Sequence, residues 1–183
     1  MKTLFQTAAE LQTFLEKENF KFCFIGGIAL QRWGEPRVTV DVDVTLFTGF
    51  GGEKPFIQTL LSAYQSRIPD AAAFALENRV LLLKSTGGIA LDIALAALPF
   101  EAEAVNRATS FEFLPGLNLL TCSAEDLIIM KAFANRTRDW ADIKTVIDRR
   151  PGELDDRYIM ERLAPIAEIK SAPEIITTLK SLF

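Results

Sequence analysis

The sequence predicts an α/β fold of the α+β type, in which strands and helices alternate in the N-terminal part and helices alone fill the C-terminal part. Residues 38–46 alternate between apolar and polar side chains, which is the period-two pattern of a half-buried strand. Two apolar runs flank a glycine pair at 87–88, which is typical of a β-hairpin. After Thr121 the pattern is helical only. With 183 residues and 49% hydrophobic residues, the chain can build a proper core as one domain or a small pair.

The chain opens with a helix, a strand and the start of a second helix. Residues 3–19 predict an amphipathic helix whose apolar side carries Leu4, Phe5, Ala8, Leu11, Phe14 and Leu15. Residues 22–25 form a short apolar run that ends at glycine, as a buried strand does. Residues 28–33 then predict the first turns of the next helix.

The junction between this strand and this helix predicts an anion site. Gly26 and Gly27 can adopt backbone angles that other residues avoid. The N-terminus of a helix presents unpaired N–H groups and the positive end of the helix dipole at the same place. A phosphate group is therefore the expected ligand of the Gly26-Gly27 turn.

Two aspartates share one face of the strand that is predicted at residues 38–46. The alternation places Val38, Val40, Val42, Val44 and Leu46 on one face and Thr39, Asp41, Asp43 and Thr45 on the other. Two neighbouring carboxylates repel each other unless a cation lies between them. Mg²⁺ prefers oxygen ligands, and two metal ions about 3.5–4 Å apart can hold the attacking and leaving oxygens of an in-line displacement. Asp41 and Asp43 are thus candidate ligands for two Mg²⁺ ions, with Mn²⁺ as the alternative.

The region that follows predicts a loop, a helix and a hairpin. Residues 48–55 contain three glycines and predict a flexible loop, either a plain surface connection or a segment that orders when nucleotide binds. Residues 56–67 are helical by pattern. Residues 79–84 and 89–96 predict the two strands of the hairpin.

Asp92 is the single charge within the second apolar run of this hairpin. An ionised aspartate in an apolar strand costs free energy unless it is paired or bound to a metal. Asp92 is therefore a candidate ligand for the metal that Asp41 and Asp43 bind. The alternative is an edge strand from which Asp92 faces solvent.

Helical patterns continue from Ser123 to the C-terminus. Ser123 and Asp126 approximate a capping sequence before an apolar run. Residues 150–152 (Arg-Pro-Gly) end one helix, and residues 171–173 (Ser-Ala-Pro) precede the last. A boundary near residues 115–122 gives two predicted domains, a catalytic part at 1–120 and a helical part at 121–183.

Composition excludes several classes of mechanism and protein. The chain contains no histidine, which excludes histidine-based zinc sites, a Ser-His-Asp triad and a Cys-His pair. A net charge of −4 argues against nucleic-acid binding by bulk electrostatics, although a local basic patch can still hold an RNA end. Cys23 and Cys122 lie in apolar runs and are expected to be reduced core thiols. No signal pattern and no apolar run of about 20 residues is present, so we expect a cytoplasmic protein without membrane contact.

The glycines and aspartates of residues 26–43 follow a spacing that is similar to a known active-site signature. The pattern Gly26-Gly27-x-Ala29, followed by Gly34-x-x-Arg37-x-Thr39-x-Asp41-x-Asp43, resembles the active-site signature of the DNA polymerase β-like nucleotidyltransferase superfamily. Within it the chain is most similar to the abortive-infection toxin type, many members of which are toxins of bacterial toxin–antitoxin pairs. One difference is that many superfamily members have serine where this chain has Gly27, although the double-glycine form also occurs.

The resemblance implies a fold and a set of site residues. It implies a mixed sheet flanked by helices, with Asp41, Asp43 and Asp92 as catalytic carboxylates and metal ligands. It also implies that Lys131 and the pair Asp139 and Asp142 contribute to the nucleotide site from the helical part. The alternatives are a Lys131 that extends to solvent, and aspartates that stabilise a helix N-terminus and pair with Arg136 or Arg138.

Two residues that precede Asp41 in the chain complete the predicted nucleotide-binding set. Arg37 can grip a phosphate or stack on a base, and the alternative is an ion pair with Glu35 or Asp41. Thr39 shares a face with Asp41 and is expected to hydrogen bond to that carboxylate. The full predicted set is Gly26, Gly27, Arg37, Thr39, Lys131, Asp139 and Asp142.

The implied activity is Mg²⁺-dependent transfer of a nucleoside monophosphate from a nucleoside triphosphate to an acceptor hydroxyl. By analogy with the family, Asp92 is the candidate base. The acceptor is expected to be an RNA 3′ end or a protein side chain, and an antitoxin protein is a possible partner. A small-molecule acceptor of the antibiotic type, a catalytically idle relative that binds nucleotide or a partner protein, and an oligomeric scaffold are the alternatives.

Overall fold

In the computed structural model of the protein, residues 3–183 are described, and they form nine helices and seven strands. The helices are α1 (Leu4–Lys17), α2 (Gly26–Trp33), α3 (Glu53–Ala63), α4 (Ala71–Asn78), α5 (Pro99–Arg107), α6 (Ala124–Ala134), α7 (Thr137–Arg149), α8 (Asp156–Ile169) and α9 (Glu174–Lys180). The strands are β1 (Phe22–Phe24), β2 (Asp41–Phe47), β3 (Gln65–Ser66), β4 (Val80–Lys84), β5 (Ala90–Ala96), β6 (Thr109–Leu114) and β7 (Leu117–Thr121). The predicted α+β class is confirmed.

All seven strands belong to one mixed sheet with the order β3-β4-β5-β2-β1-β7-β6. Strand β2 lies at the centre, antiparallel to β1 and parallel to β5. Strands β4 and β5 form the predicted antiparallel hairpin, and β7 pairs with β1 in parallel and with β6 in antiparallel orientation. Asp92 therefore lies on an interior strand rather than on an edge.

The sheet has one buried face and one partly open face along β2, β5 and β4. Alternate residues of these strands are buried among side chains of α1, α3 and α4, and they include Val42, Val44, Leu46, Leu81, Leu83, Leu91 and Ile93. Most of the residues between them are only partly buried, whereas Thr45 and Ala96 on the same side are buried. We call this second side the open face, and it carries Asp41, Asp43, Asp92, Leu82 and Lys84 because register partners in a sheet point the same way.

Local sequence signals explain several helix ends. The Thr3 hydroxyl accepts a hydrogen bond from the Gln6 N–H, and the Gln6 side chain accepts one from the Thr3 N–H. The Ser123 hydroxyl caps α6 by accepting from the Asp126 N–H at 3.1 Å. Helix α7 ends at Arg149, directly before the predicted Arg-Pro-Gly break. These contacts satisfy N–H groups that a helix end leaves unpaired.

The prediction of a strand from residue 38 is wrong for its first three residues, because β2 begins at Asp41. Strand β5, which pairs with β2, begins at Ala90, and Ala90 is the partner of Asp41. Beyond Ala90 the chain turns into the β4–β5 connection, so residues 38–40 have no strand to pair with. Val38 and Val40 are consequently 82% and 74% exposed instead of buried.

The predicted loop and helix after β2 are displaced by a few residues. Helix α3 begins at Glu53 rather than at residue 56. The Glu53 carboxylate accepts hydrogen bonds from the Gly51 N–H and, at 2.6 Å, from Arg79, which favours a helix start at this point. The helix ends at Ala63, because Gln65 and Ser66 pair with β4 as strand β3.

Four elements lack a clear sequence signal, namely α4, α5, β6 and β7. Helix α4 is short and only weakly amphipathic, and α5 has only nine residues, although its first residue is a proline, which suits a helix start. Strand β6 is one of the two edges of the sheet and exposes most of its residues, and its alternation of polar and apolar side chains is confined to residues 110–113. Edge strands are the elements for which period-two patterns are least informative.

The chain divides into two compact units. One comprises the residues up to Ile28 together with Val38–Cys122, and it contains the whole sheet. The other comprises Ala29–Arg37 and Ser123–Phe183, and it contains helices α6 to α9. The two-domain assignment with a boundary after residue 120 stays a prediction.

Cys23 and Cys122 are both buried thiols, and no helix within residues 3–183 has the length and apolarity needed to cross a membrane.

Candidate metal and nucleotide site

Three aspartates converge on the open face of the sheet. Asp43 on β2 is the register partner of Asp92 on β5, and Asp41 lies two residues before Asp43 on the same face. One carboxylate oxygen of each residue lies within 4.8 Å of the other two. Three partly exposed oxygen donors at this separation match the ligands that Mg²⁺ and Mn²⁺ take in proteins. The arrangement therefore fits a divalent metal site.

A fourth charged residue, Arg67, contacts this cluster. Its guanidinium donates a hydrogen bond to Asp92, and the two form an ion pair. Burial raises the pKa of Asp92, and the negative charge of Asp41 raises it further. The positive charge of Arg67 lowers it by less, so the pKa of Asp92 is raised overall. No local sequence motif identifies Arg67, because only the sheet register places it beside Asp92.

The Gly26-Gly27 turn lies directly against β2, the strand that carries Asp41 and Asp43. The Ile25 N–H donates to the Asp43 carbonyl at 3.0 Å, and helix α2 begins at the next residue. Gly26 has a positive φ of 55°, and a Cβ added there would overlap the Asp43 carboxylate. Only glycine satisfies both conditions without strain. The N-terminus of α2 is thus held beside Asp43.

Thr39 fills the space next to the second glycine. A Cβ at residue 27 would overlap the Thr39 side chain, so this chain has no room there for the serine that many superfamily members carry. The Thr39 hydroxyl donates to the Asp41 Oδ1 at 2.9 Å, as expected from the shared face. This hydrogen bond orients one carboxylate of the cluster.

We expect Gly26→Ala to lower the nucleotidyl transfer that the resemblance implies at least about tenfold, because the added methyl group displaces the Asp43 carboxylate. The left-handed backbone adds a cost of about 1–2 kcal/mol in unfolding free energy. Gly116→Ala is the matched control, since Gly116 has a φ of 76° and no heavy atom near its added Cβ. Initial rates and urea denaturation of both variants check this prediction. Equal losses of activity in the two variants would contradict it.

The remaining predicted residues form a charged cluster within the helical unit. The Lys131 Nζ donates to Asp142 at 2.6 Å and to Asp139 at 3.2 Å. All three side chains are at most 7% exposed. Lys131 therefore does not extend to solvent, and its charge is compensated by two buried carboxylates.

Two arginines complete this cluster. Arg37 donates to both oxygens of Asp142, each at 2.9 Å, a partner that neither of the expectations for Arg37 names. Arg136 donates to Asp139 at 2.6 Å, as one of the alternatives predicts. Burial alone would raise the pKa of Asp139 and Asp142, but these hydrogen bonds and the Lys131 charge outweigh it and lower both pKa values.

Helix α7 also holds the segment that leads into the metal strand. Besides the Asp142 contact to Arg37, the Thr145 hydroxyl accepts from the Glu35 N–H at 3.1 Å, and Arg149 donates to the Gly34 carbonyl at 2.8 Å. Residues 142, 145 and 149 recur at three- and four-residue spacings, so they line one side of the helix. They fix residues 34–37, which precede Thr39 and Asp41 in the chain.

Comparison with known proteins assigns these features to a family. The model of the family described as the nucleotidyl transferase AbiEii toxin, type IV toxin–antitoxin system, matches residues 11–174 of this chain. No curated protein matches the chain.

Three solved structures share the fold. The chain is similar to the antibiotic-resistance factor ANT(2'')-Ia, with a TM-score of 0.61 and 15% identity over 93% of this chain and 94% of that one. An antigenic nucleotidyltransferase-like protein from Paracoccidioides brasiliensis matches with a TM-score of 0.50 and 18% identity over 97% and 92% of the two chains. The lincosamide antibiotic adenylyltransferase LnuA matches with a TM-score of 0.50 and 15% identity over 75% and 92%. At these identities the likeness establishes the fold alone.

Proposed function

Because the chain belongs to the family of AbiEii nucleotidyl transferase toxins, we propose that it transfers a nucleoside monophosphate from a nucleoside triphosphate to an acceptor hydroxyl at the Asp41, Asp43 and Asp92 cluster. We further propose that two Mg²⁺ ions are the cofactor, with Mn²⁺ able to replace them. The acceptor is an RNA 3′ end or a protein side chain, and the setting is a cytoplasmic toxin–antitoxin pair with an antitoxin as partner.

The observation that carries this proposal is the convergence of three carboxylates beside a glycine turn at a helix N-terminus. The carboxylates supply metal ligands, and the start of α2 supplies N–H groups and a positive dipole for phosphate oxygens. Both features lie in the sheet-containing unit. A catalytically idle protein has no need of three like charges so close together, because their mutual repulsion raises the free energy of the folded state.

The three aspartates and the two glycines would have separate roles in the proposed reaction. Asp41, Asp43 and Asp92 would hold the metal ions, which when bound supply positive charge to the α-phosphate and the leaving pyrophosphate. Gly26 and Gly27 would bind the β- and γ-phosphates through backbone N–H groups. Asp92 would also accept the proton of the acceptor hydroxyl, the role that the resemblance implies for it.

For the cluster in the helical unit, nucleotide binding by Arg37, Lys131, Asp139 and Asp142 stays a prediction. The contacts of these side chains support a positioning role as well, since Asp142 holds Arg37, and Arg37 precedes Thr39 by two residues.

The experiment that tests the proposal is incubation of the protein with each α-labelled nucleoside triphosphate, Mg²⁺ and either total bacterial RNA or a cell lysate. Label on an RNA species or on a protein supports the proposal and names the acceptor class. Label on a small molecule only would replace the proposed acceptor with one of the antibiotic type. An absence of label on every fraction would favour the idle relative.

A further inference from the structure

The open face of the sheet carries two cations beside the three aspartates. Arg67 lies opposite Leu82, since its N–H donates to the Leu82 carbonyl at 3.0 Å, and Leu82 is the register partner of Asp92. Lys84 is the register partner of Ala90, and Ala90 is the partner of Asp41. The side chains of Asp41, Asp92 and Lys84 thus project from the same face.

We call Arg67 and Lys84 the cationic flank. The spacing of the strands gives its distance from the aspartates. Adjacent strands lie about 4.8 Å apart, so Lys84 on β4 is about 10 Å from Asp41 on β2, backbone to backbone. The Arg67 guanidinium reaches Asp92 itself. The two cations therefore lie on the β3–β4 side of the three aspartates, within the length of one or two nucleotides from them.

The charge of this flank is unusual for the chain as a whole. The net charge is −4, yet β3, β4 and β5 contain no carboxylate except Asp92. Among the described residues Lys84 has no ion-pair partner, and Arg67 pairs only with Asp92. The β3–β4 side of the open face therefore offers two cationic side chains to an anionic ligand.

We propose that Arg67 and Lys84 form an acceptor subsite that binds the phosphodiester groups next to the 3′ end of an RNA acceptor. This inference rests on the proposed function, because it presumes that the acceptor hydroxyl approaches the Asp41, Asp43 and Asp92 cluster. Arg67 and Lys84 are binding residues in this account. The guanidinium offers a planar pair of donors to one phosphate, and the ammonium provides a point charge for the next.

The test is the affinity of the full-length protein for a fluorescein-labelled single-stranded RNA, measured by fluorescence anisotropy at several salt concentrations. The variants are Arg67→Met, Lys84→Met and their combination. Lys54→Met is the control, because Lys54 is an exposed lysine of the same unit on α3. Each lost phosphate contact lowers the slope of log K against log salt by about 0.7 for single-stranded nucleic acid.

We expect the double variant to bind the RNA at least about tenfold more weakly than wild type at 0.1 M salt, with a slope lower by about 1.4, which is twice 0.7. The control keeps the affinity of wild type, and Lys84→Met keeps its Mg²⁺–nucleotide affinity in calorimetry. Unchanged RNA affinity and slope in the double variant, or no RNA binding by wild type, would overturn the inference. A different result would contradict the proposed function alone. In that case wild type transfers no label, although it binds the RNA and the variants bind it more weakly.

Discussion

Asp41→Asn and Asp43→Asn are expected to lower nucleotidyl transfer by about 10³-fold or more. Metal-assisted stabilisation of the transition state supplies several kcal/mol, and each 1.36 kcal/mol corresponds to a factor of ten in rate. Asparagine keeps the shape of the side chain but removes the charge that holds a divalent ion. The rate is measured with α-labelled nucleoside triphosphate at saturating Mg²⁺.

Thermal denaturation distinguishes this loss from a structural defect. Three carboxylate oxygens lie within 4.8 Å of one another, so removing one charge relieves repulsion in the metal-free protein. Each variant should therefore unfold at or above the wild-type midpoint without metal, and it should lose the rise in midpoint that Mg²⁺–nucleotide gives to wild type. Glu77→Ala, at an exposed carboxylate on α4, is the control and should keep both activity and the rise. Wild-type affinity of both aspartate variants for Mg²⁺–nucleotide in calorimetry would show that these residues do not bind the metal.

Lys131→Met is expected to lower the free energy of unfolding by about 1–3 kcal/mol, because Asp139 and Asp142 lose their shared cation and keep only their arginine partners. Lys144→Met is the matched control in the same unit. Lys144 pairs with Asp148 at 2.8 Å, but both side chains are more than half exposed, and such pairs contribute less than about 1 kcal/mol. Urea denaturation at neutral pH measures both variants.

The pH dependence of this difference identifies its cause. The pKa values of Asp139 and Asp142 are lowered in the folded protein, so the stability that they contribute is present above the unfolded carboxyl pKa of about 3.9 and is lost as pH falls through the lowered values. The difference between wild type and Lys131→Met should shrink over that acidic range. A Lys131→Met variant as stable as Lys144→Met at pH 7 would contradict the account of the cluster.

The candidate site residues that the sequence indicates most clearly are those with a local signal. Asp41 and Asp43 alternate with valines on one strand, and Asp92 interrupts an otherwise apolar run, so each is visible within a few residues. The glycine pair between a strand and a helix is equally local. The fold class follows from the same patterns, because periodicity reports which faces of each element are buried.

Contacts between distant residues explain what the sequence does not predict. The pairing of Arg37 with Asp142 joins residues that are 105 positions apart, and nothing near Arg37 identifies its partner. The approach of Arg67 to Asp92 depends on the register of β3 and β4. The valines at 38 and 40 continue the period-two pattern but lie beyond the end of the strand that pairs with β2. In each case the deciding interaction is tertiary, and a sequence window does not contain it.

The most direct test of the central claim compares two labels on the same nucleotide. The protein is incubated with RNA, Mg²⁺ and a nucleoside triphosphate labelled at either the α- or the γ-phosphate, with the Asp43→Asn variant in parallel. Nucleotidyl transfer at the Asp41, Asp43 and Asp92 cluster predicts that wild type moves the α-label and not the γ-label onto the acceptor, and that Asp43→Asn moves neither. Transfer of the γ-label, or equal transfer of the α-label by Asp43→Asn, would contradict it.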